Sequence, residues 1–459
     1  MTIISGGADD PVIGLVVTGD NHLSPSLPRL APGRRLQRRA WLRRGFQAAV
    51  DCALERHAAL FISTGDLFDS PAPSNQDRAF VAEQLHRLRA AGVVCVAVSG
   101  NHDTPRMQTE HGGEAPQQVY AALDELCYFA ASDTLEPQTF TLGGLRVAVV
   151  GLSNNPVAPP GSDPLAVAQW GAGAKDALAQ ADVALLIVHA ALEGLARPTE
   201  SEGAIAQASL TALPESIRLV VAGHIHRFAR QSLGGREVVV VGATERMEFG
   251  AQAGEPGFVW AELAGGGVRH VEHLRVQAQP RAEITLHTSR LWPATVSAPA
   301  QRATPQEAPA ILAILAMPTI SAQADGAQDE TNHALDVIRA ELEAACTPDT
   351  LARLRLTGSL TREQYHQLAL RDVIALGQQC AFSLDVDTSG LTLVERAFAL
   401  PDLGPQAKAI SPAQMIAQVV EETLQQSKQG AAGLPDPSDI RAAGDLLLAR
   451  LRASGEEGA

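Results

Sequence analysis

The stretch Ile62-Ser63-Thr64-Gly65-Asp66-Leu67-Phe68-Asp69 decides how the chain is read, because an apolar run ends there abruptly in a glycine and a carboxylate. With Leu60 and Phe61 before it, the run predicts a strand covered on both faces, since such strands carry continuous rather than alternating apolar residues. Asp66 then falls just past the strand's end. A carboxylate there has two oxygens and can hold one cation or bridge two, provided that other ligands converge on it from elsewhere.

Working outward, four more apolar runs end the same way. Residues 13–18 lead into Gly19-Asp20-Asn21-His22, and residues 93–98 into Ser99-Gly100-Asn101-His102-Asp103. Residues 183–188 lead into His189, and residues 219–222 into Gly223-His224-Ile225-His226. Helical patterns at 40–57 and 76–91 fill two of the gaps. The pattern predicts a layered α/β core with its site on loops at one edge of the sheet.

The clusters supply Asp20, His22, Asp66, Asn101, His189, His224 and His226 as candidate ligands. Mixed nitrogen and oxygen donors without thiolate suit Mn²⁺, Fe²⁺ or Zn²⁺ rather than Ca²⁺, and so many groups exceed one ion's needs. Two ions are implied. Cations about 3.5–4 Å apart can clamp the oxygens of a phosphate and activate water for in-line attack. A histidine beside them can supply charge or a proton to the departing alcohol, and His102 is the natural candidate. Asp103, next in sequence, can orient that imidazole. For Asp103 and Asp69 alike, a turn or helix-capping role stays equally open.

The length of 459 residues allows two or three domains. A core domain is expected over 11–265 and a smaller α+β domain over 266–400. In the latter, strands at 282–286, 351–356 and 381–386 alternate with helices at 331–345 and 361–376, and a Pro/Ala-rich loop covers 291–328. Residues 401–459 then form a linker and two amphipathic helices. The first opens on a capping box at Ser411 with Pro412 at the first helical position and carries Met415, Ile416, Val419, Val420 and Leu424 on one face. The second carries Ile440, Ala443, Leu447 and Leu451. These helices either pack on their own chain or clamp a partner's helices.

A net charge of −15 argues against indiscriminate binding to nucleic acid, so DNA would need a local basic patch. Arg29, Arg34, Arg35, Arg38, Arg39, Arg43 and Arg44 follow the first motif with no acid between them. Arg34, Arg35, Arg38, Arg39 and Arg43 are the candidate phosphate contacts, with a solvated helix face as the alternative. Five scattered cysteines without a Cys-x-x-Cys pair read as core thiols of a reducing compartment. The first ten residues lack a basic and an apolar signal region, and the runs at 183–188 and 310–317 are too short to cross a bilayer. The cytoplasm is the expected location, with no membrane contact.

The order Asp-x-His, Gly-Asp-x-x-Asp, Gly-Asn-His-Asp, His, Gly-His-x-His resembles that of the calcineurin-like metallophosphoesterases. The resemblance implies a metallophosphoesterase sandwich holding one metal by Asp20, His22, Asp66 and His226 and another by Asp66, Asn101, His189 and His224, with His102 catalytic. Residues 65–74, and Gly223-His-Ile-His226 followed by 242–250 and 255–258, are similar to the SbcD-type DNA repair nucleases. That likeness implies a Mn²⁺-dependent exonuclease and endonuclease on DNA ends and hairpins. It also implies a DNA-contacting cap at 266–400, a tail that binds an SbcC-type coiled-coil ATPase, and a homodimer. The alternatives are a metallophosphoesterase for small phosphodiesters or phosphomonoesters and a DNA-tethering subunit whose metal site is structural.

Overall fold

The computed structural model describes residues 11–107, 109, 111–195, 203–250, 254–292 and 321–394, with isolated positions between 420 and 445. The chain divides into two compact units, Met1–Leu393 and Val394–Ala459. The first unit holds two six-stranded sheets. Strands β1 (Val12–Thr18), β2 (Leu60–Ser63), β3 (Val94–Val98) and β4 (Cys127–Phe129) run parallel in one of them. The other holds β5 (Gln138–Leu142), β6 (Leu145–Leu152), β7 (Val183–His189), β8 (Ile217–Gly223), β9 (Ala229–Leu233) and β10 (Arg236–Val240). The hairpin of β11 (Gly257–Ala264) and β12 (Gly267–Arg275) then returns to the first sheet, antiparallel beside β1. The orders are β12-β11-β1-β2-β3-β4 and β9-β10-β8-β7-β6-β5.

Alternate residues along each strand serve different layers. Leu15, Val17, Leu60, Ile62, Val96 and Val98 of the first sheet meet Val147, Val149, Leu185, Ile187, Leu219 and Val221 of the second. Between them, Val16, Phe61, Cys95 and Ala97 point outward onto α1 (Pro32–Glu55) and α2 (Asn75–Ala90), through Leu42, Phe46, Val81 and Leu85. Val150, Leu186, Val188 and Val220 pack against Leu165, Leu178 and Leu210 of short helices on the far side. Both faces of both sheets are therefore covered, which is why the central strands read as unbroken apolar runs. Each fully buried Val or Leu contributes about 1.5–3 kcal/mol. The layered sandwich expected from the sequence is the architecture observed.

Several boundaries differ from expectation: the helix expected at 331–345 begins at Ser321, inside the expected loop, and the strands expected at 351–356 and 381–386 extend to Leu360 and Leu393. The core does not stop at residue 265, because Gly267–Arg275 hairpins back onto Gly257–Ala264 and completes the first sheet's edge. Helix α1 starts at Pro32 rather than near residue 40: its apolar stripe begins only at Leu42, while proline at its start and the helix-favouring arginines form the earlier turns. The helix expected at 361–376 is broken at Ala369, whose φ of 43° is left-handed.

The α+β domain takes the form of a βαβαβ unit. Strands β13 (Arg281–His287), β14 (Leu351–Leu360) and β15 (Ser383–Leu393) are all parallel, linked through α3 (Ser321–Ala345), α4 (Arg362–Gln367) and α5 (Leu370–Cys380). Ala334, Ile338, Leu342, Val373 and Leu376 pack on Leu286, Leu354 and Leu356. The opposite face is charged, with Glu283, Arg353 and Asp385 in register across the three strands. Residues 293–320, most of the Pro/Ala-rich loop, lie outside the described residues, as does most of the tail. In the tail only Val420, Glu421, Leu424, Ser438, Ile440, Arg441, Ala442 and Asp445 are described, all helical. Among the described residues no helix is long and apolar enough to cross a membrane, and all five cysteines are free.

Candidate metal centre

Every candidate ligand sits at or just beyond the C-terminal end of β1, β2, β3, β7 or β8. The loops after β1 and β2 are zipped together: Asp20 N donates to Gly65 O (3.1 Å), His22 N to Asp66 O (3.0 Å) and Asp69 N to Leu23 O (2.9 Å). This zip holds backbone that would otherwise relax. Asp20 (φ 47°), His22 (43°), Asp66 (49°) and His224 (93°) are all left-handed, at a cost of about 1–3 kcal/mol each. Strain of that kind persists where surroundings over-determine it, and it clusters at functional sites. Gly19 has a further constraint, since a Cβ there would lie 2.0 Å from Thr64 Oγ1.

The side chains converge on one place. His22 Nε2 and His226 Nε2 face each other at 3.1 Å, a separation at which two ring nitrogens need a proton or cation between them. Asp66 Oδ2 lies 3.7 Å from His22 Nε2 and 3.4 Å from His189 Nε2, midway between the two halves of the cluster. Asn101 Oδ1 is 3.0 Å from His189 Nε2 and 3.1 Å from His224 Nδ1. Potential ligand atoms of Asp20, His22 and His226 lie within 4.8 Å of one another, as do those of Asp20, Asp66 and His189. His189 Nδ1 donates to Thr64 O at 2.8 Å, which turns its Nε2 lone pair toward Asp66 and Asn101.

Electrostatics favour the same reading. Burial works to raise the Asp66 carboxyl, but His189, His22 and His102 outweigh it and hold it below the usual carboxylate range. Burial disfavours a charged His189, yet Asp66 and Asp20 push it up to about 10. The cluster thus favours positive charge among its buried carboxylates, and a divalent cation would supply it with the imidazoles neutral, as ligation requires. The donor set therefore fits divalent metals.

His102 lies at the mouth, half exposed, its ring centroid 4.7 Å from that of His22 and edge-on to it. Asp103 does not orient it, contrary to the expectation from sequence. Its buried oxygens accept from Leu67 N (2.9 Å), Gly100 N (2.6 Å) and Gln117 Nε2, tying the second motif's loop to the third's. Burial, then the nearby Asp66 carboxylate, push the Asp103 carboxyl up. The carboxylate beside His102 is Asp69, with Oδ1 3.7 Å from His102 Nδ1 and 3.1 Å from His22 Nδ1. Asp103→Ala strands three buried donors at about 1–3 kcal/mol each and should appear as a large drop in melting temperature. Asp69→Ala should leave the melt nearly unchanged and lower kcat instead.

The arginine run is largely engaged within the protein. Arg38 is buried, paired with Glu245 (3.3 Å) and hydrogen-bonded to Gln279 Oε1 (2.9 Å), so it is not a phosphate contact. Arg34 caps the end of α5 through Gln378 O (2.7 Å), Ala381 O (3.1 Å) and Phe382 O, bracing the core against the βαβαβ unit. Arg43 pairs with Asp77 at 2.6 Å and lies over the Phe80 ring. Arg39 reaches Pro25 O at 3.4 Å. Among the described residues Arg35 is the one of the five whose guanidinium makes neither a hydrogen bond nor an ion pair. Arg38→Ala would leave Glu245 buried and unpaired, and a loss of about 3–5 kcal/mol should shift the urea midpoint accordingly.

Two contributors escaped the sequence reading. Glu248 Oε1 lies 2.9 Å from His226 Nδ1. Asn21 Nδ2 donates to Thr18 Oγ1 and Thr244 Oγ1, both at 2.9 Å, fixing the first motif's loop. Beside Asn101, His189 and His224 a cleft of 310 Å³ opens, walled by Ser132, Asn154, Asn155 and Pro160.

Fold and site together define a metal-dependent phosphoesterase domain. Residues 13–228 match the family described as calcineurin-like phosphoesterase. Among curated proteins, the chain is similar to the DNA double-strand break repair protein Mre11 of Sulfurisphaera tokodaii, 26% identical over 54% of this chain and 59% of that protein. The protein of the same description from Methanopyrus kandleri is 25% identical over 54% of each chain. That of Aeropyrum pernix is 32% identical over 25% of this chain and 28% of its own. The matches thus span at most 59% of the length of these relatives.

Proposed function

We propose that the protein is a DNA nuclease that hydrolyses phosphodiesters at DNA ends and hairpins with two divalent metal ions, manganese foremost. The observation that carries the two-ion reading is the position of Asp66 Oδ2 between His22 Nε2 and His189 Nε2. One ion would be held by Asp20, His22, Asp66 and His226, the other by Asp66, Asn101, His189 and His224. When bound, the ions supply Lewis-acid charge to phosphate oxygens and lower the pKa of an attacking water. His102 donates to the leaving oxygen, and Asp69 holds its imidazole. The choice of DNA rests on the likeness to Mre11 proteins and on the open cleft beside the ligands. With Arg38 internal, Arg35 is the foremost phosphate contact, and Arg39 follows.

In this reading residues beyond Arg275 cap the DNA, the tail at 401–459 engages an SbcC-type ATPase, two copies pair, and the protein works in the cytoplasm. One observation favours a second reading, hydrolysis of small phosphodiesters: the internal engagement of Arg34, Arg38 and Arg43 leaves little of the basic run for DNA. A single assay separates them. Purified protein with Mn²⁺ is given linear duplex, hairpin DNA and a small chromogenic diester. Cleavage of both DNA substrates is expected, and turnover of the diester with the DNA left intact would sink the nuclease reading.

A further inference from the structure

Residues 245–250 touch both the metal centre and the βαβαβ cap. On the cap side, Arg281 Nη1 donates to Glu248 O at 2.9 Å, and Gly250 N donates to Glu283 Oε1 at 2.7 Å. The Arg353 guanidinium lies over the Phe249 ring, 4.5 Å from its centroid. Glu283 and Arg353 are register partners on β13 and β14, so these contacts come from the sheet face opposite the one that α3 and α5 cover. At the base of the segment, Glu245 accepts from Gln279 N at 3.1 Å and pairs with Arg38. On the metal side, the Glu248 carboxylate faces His226 Nδ1 at 2.9 Å. The cap therefore grips the backbone of Glu248 while its side chain grips a candidate ligand.

The two halves of the centre are supported differently. His189 is oriented by Thr64 O, and Thr64 belongs to the core loop after β2. His226 Nδ1 has no partner other than Glu248 among the described residues. A carboxylate on the far nitrogen of a ligating histidine fixes the tautomer, aims the other nitrogen's lone pair at the metal and raises its basicity. Moving the cap would drag Glu248 through Arg281 and Glu283, disturbing His226 and leaving His189 in place.

We infer that Glu248 is a positioning residue through which the cap sets the affinity of the ion held by His22 and His226, and not that of the ion held by His189. This rests on the two-ion reading above. The test is calorimetric titration of Mn²⁺ into the full chain, with a thermal melt of each variant to show that it is folded. Wild type should bind two ions. Glu248→Ala should weaken one of them about 10–100-fold and leave the other as it was. Glu248→Gln, whose Oε1 still accepts from Nδ1–H, should recover most of the loss. Arg281→Ala, and the milder Glu283→Gln, lie off the metal centre and should weaken the same ion to a smaller degree. Unchanged affinities in Glu248→Ala would overturn the positioning role. An effect in Glu248→Ala with none in either cap variant would overturn the coupling to the cap. A wild type that binds fewer than two ions would instead overturn the two-ion reading itself.

Discussion

Asp66→Asn is expected to remove both metal ions at once, and with them all turnover of phosphodiesters. The carboxylate sits with Oδ2 3.7 Å from His22 Nε2 and 3.4 Å from His189 Nε2, so it is placed to serve both halves of the centre. Oδ1 accepts from His102 N at 2.9 Å, which leaves Oδ2 to face the histidines. Asparagine keeps the shape but loses the charge that His189, His22 and His102 stabilise against burial, and its amide offers one acceptor oxygen where a bridge needs a shared anion. His189→Ala removes a ligand from one half only. Metal analysis of the purified variants should therefore find close to none for Asp66→Asn and close to one ion for His189→Ala. Retention of one tightly held ion in Asp66→Asn would show that the ions do not share this residue.

His102→Ala should leave both ions bound while lowering kcat by about 10²–10⁴-fold, the range for loss of a general acid or base. The imidazole stands at the mouth of the centre, 44% exposed, and its nearest charged neighbour is Asp69 rather than the carboxylates of the cluster. In the proposed mechanism it donates at the leaving oxygen, so its loss would act on the chemical step and KM should move little. A substrate whose leaving group departs without a proton should be nearly indifferent to the change. Loss of metal in His102→Ala, or equal losses on both substrates, would give the residue a structural part instead.

The strand ends were legible in the sequence because a buried apolar run that terminates in Asp, His or Asn places costly polar groups where only a site explains them. Asp20, His22, Asp66, Asn101, His189, His224 and His226 all converge for that reason. Of the two roles the sequence leaves open to Asp103, orienting His102 fails because adjacency in sequence is not adjacency in space, and the turn-tying role holds. The turn at residues 100–103 swings its carboxylate back onto Gly100 N and across to Leu67 N, and Asp69, far away in sequence, fills the place beside the imidazole. The arginine run failed in the same way: seven like charges suggest an outer face, yet the acid that buries Arg38 is Glu245 on a distant loop. Glu248 lies in the 242–250 stretch that carries the resemblance, but its place against His226 is not legible there, because it is set by the folded loop and its contacts with Arg281 and Glu283.

The ligands are also distributed unequally between the two sheets. Asp20, His22, Asp66 and Asn101 follow strands of the first sheet, and His189, His224 and His226 follow strands of the second. Each ion, as assigned here, draws donors from both. At the edge where the strands end, the inner apolar layer gives way to polar side chains, so the sandwich lacks the hydrophobic closure it has elsewhere. The metals would close that seam. Binding that requires the assembled site adds to folding free energy by about 2.7 kcal/mol for an ion at a hundred times its Kd. The candidate centre would then also be a clasp, and the divalent ion concentration would set how firmly the two halves of the sandwich hold together.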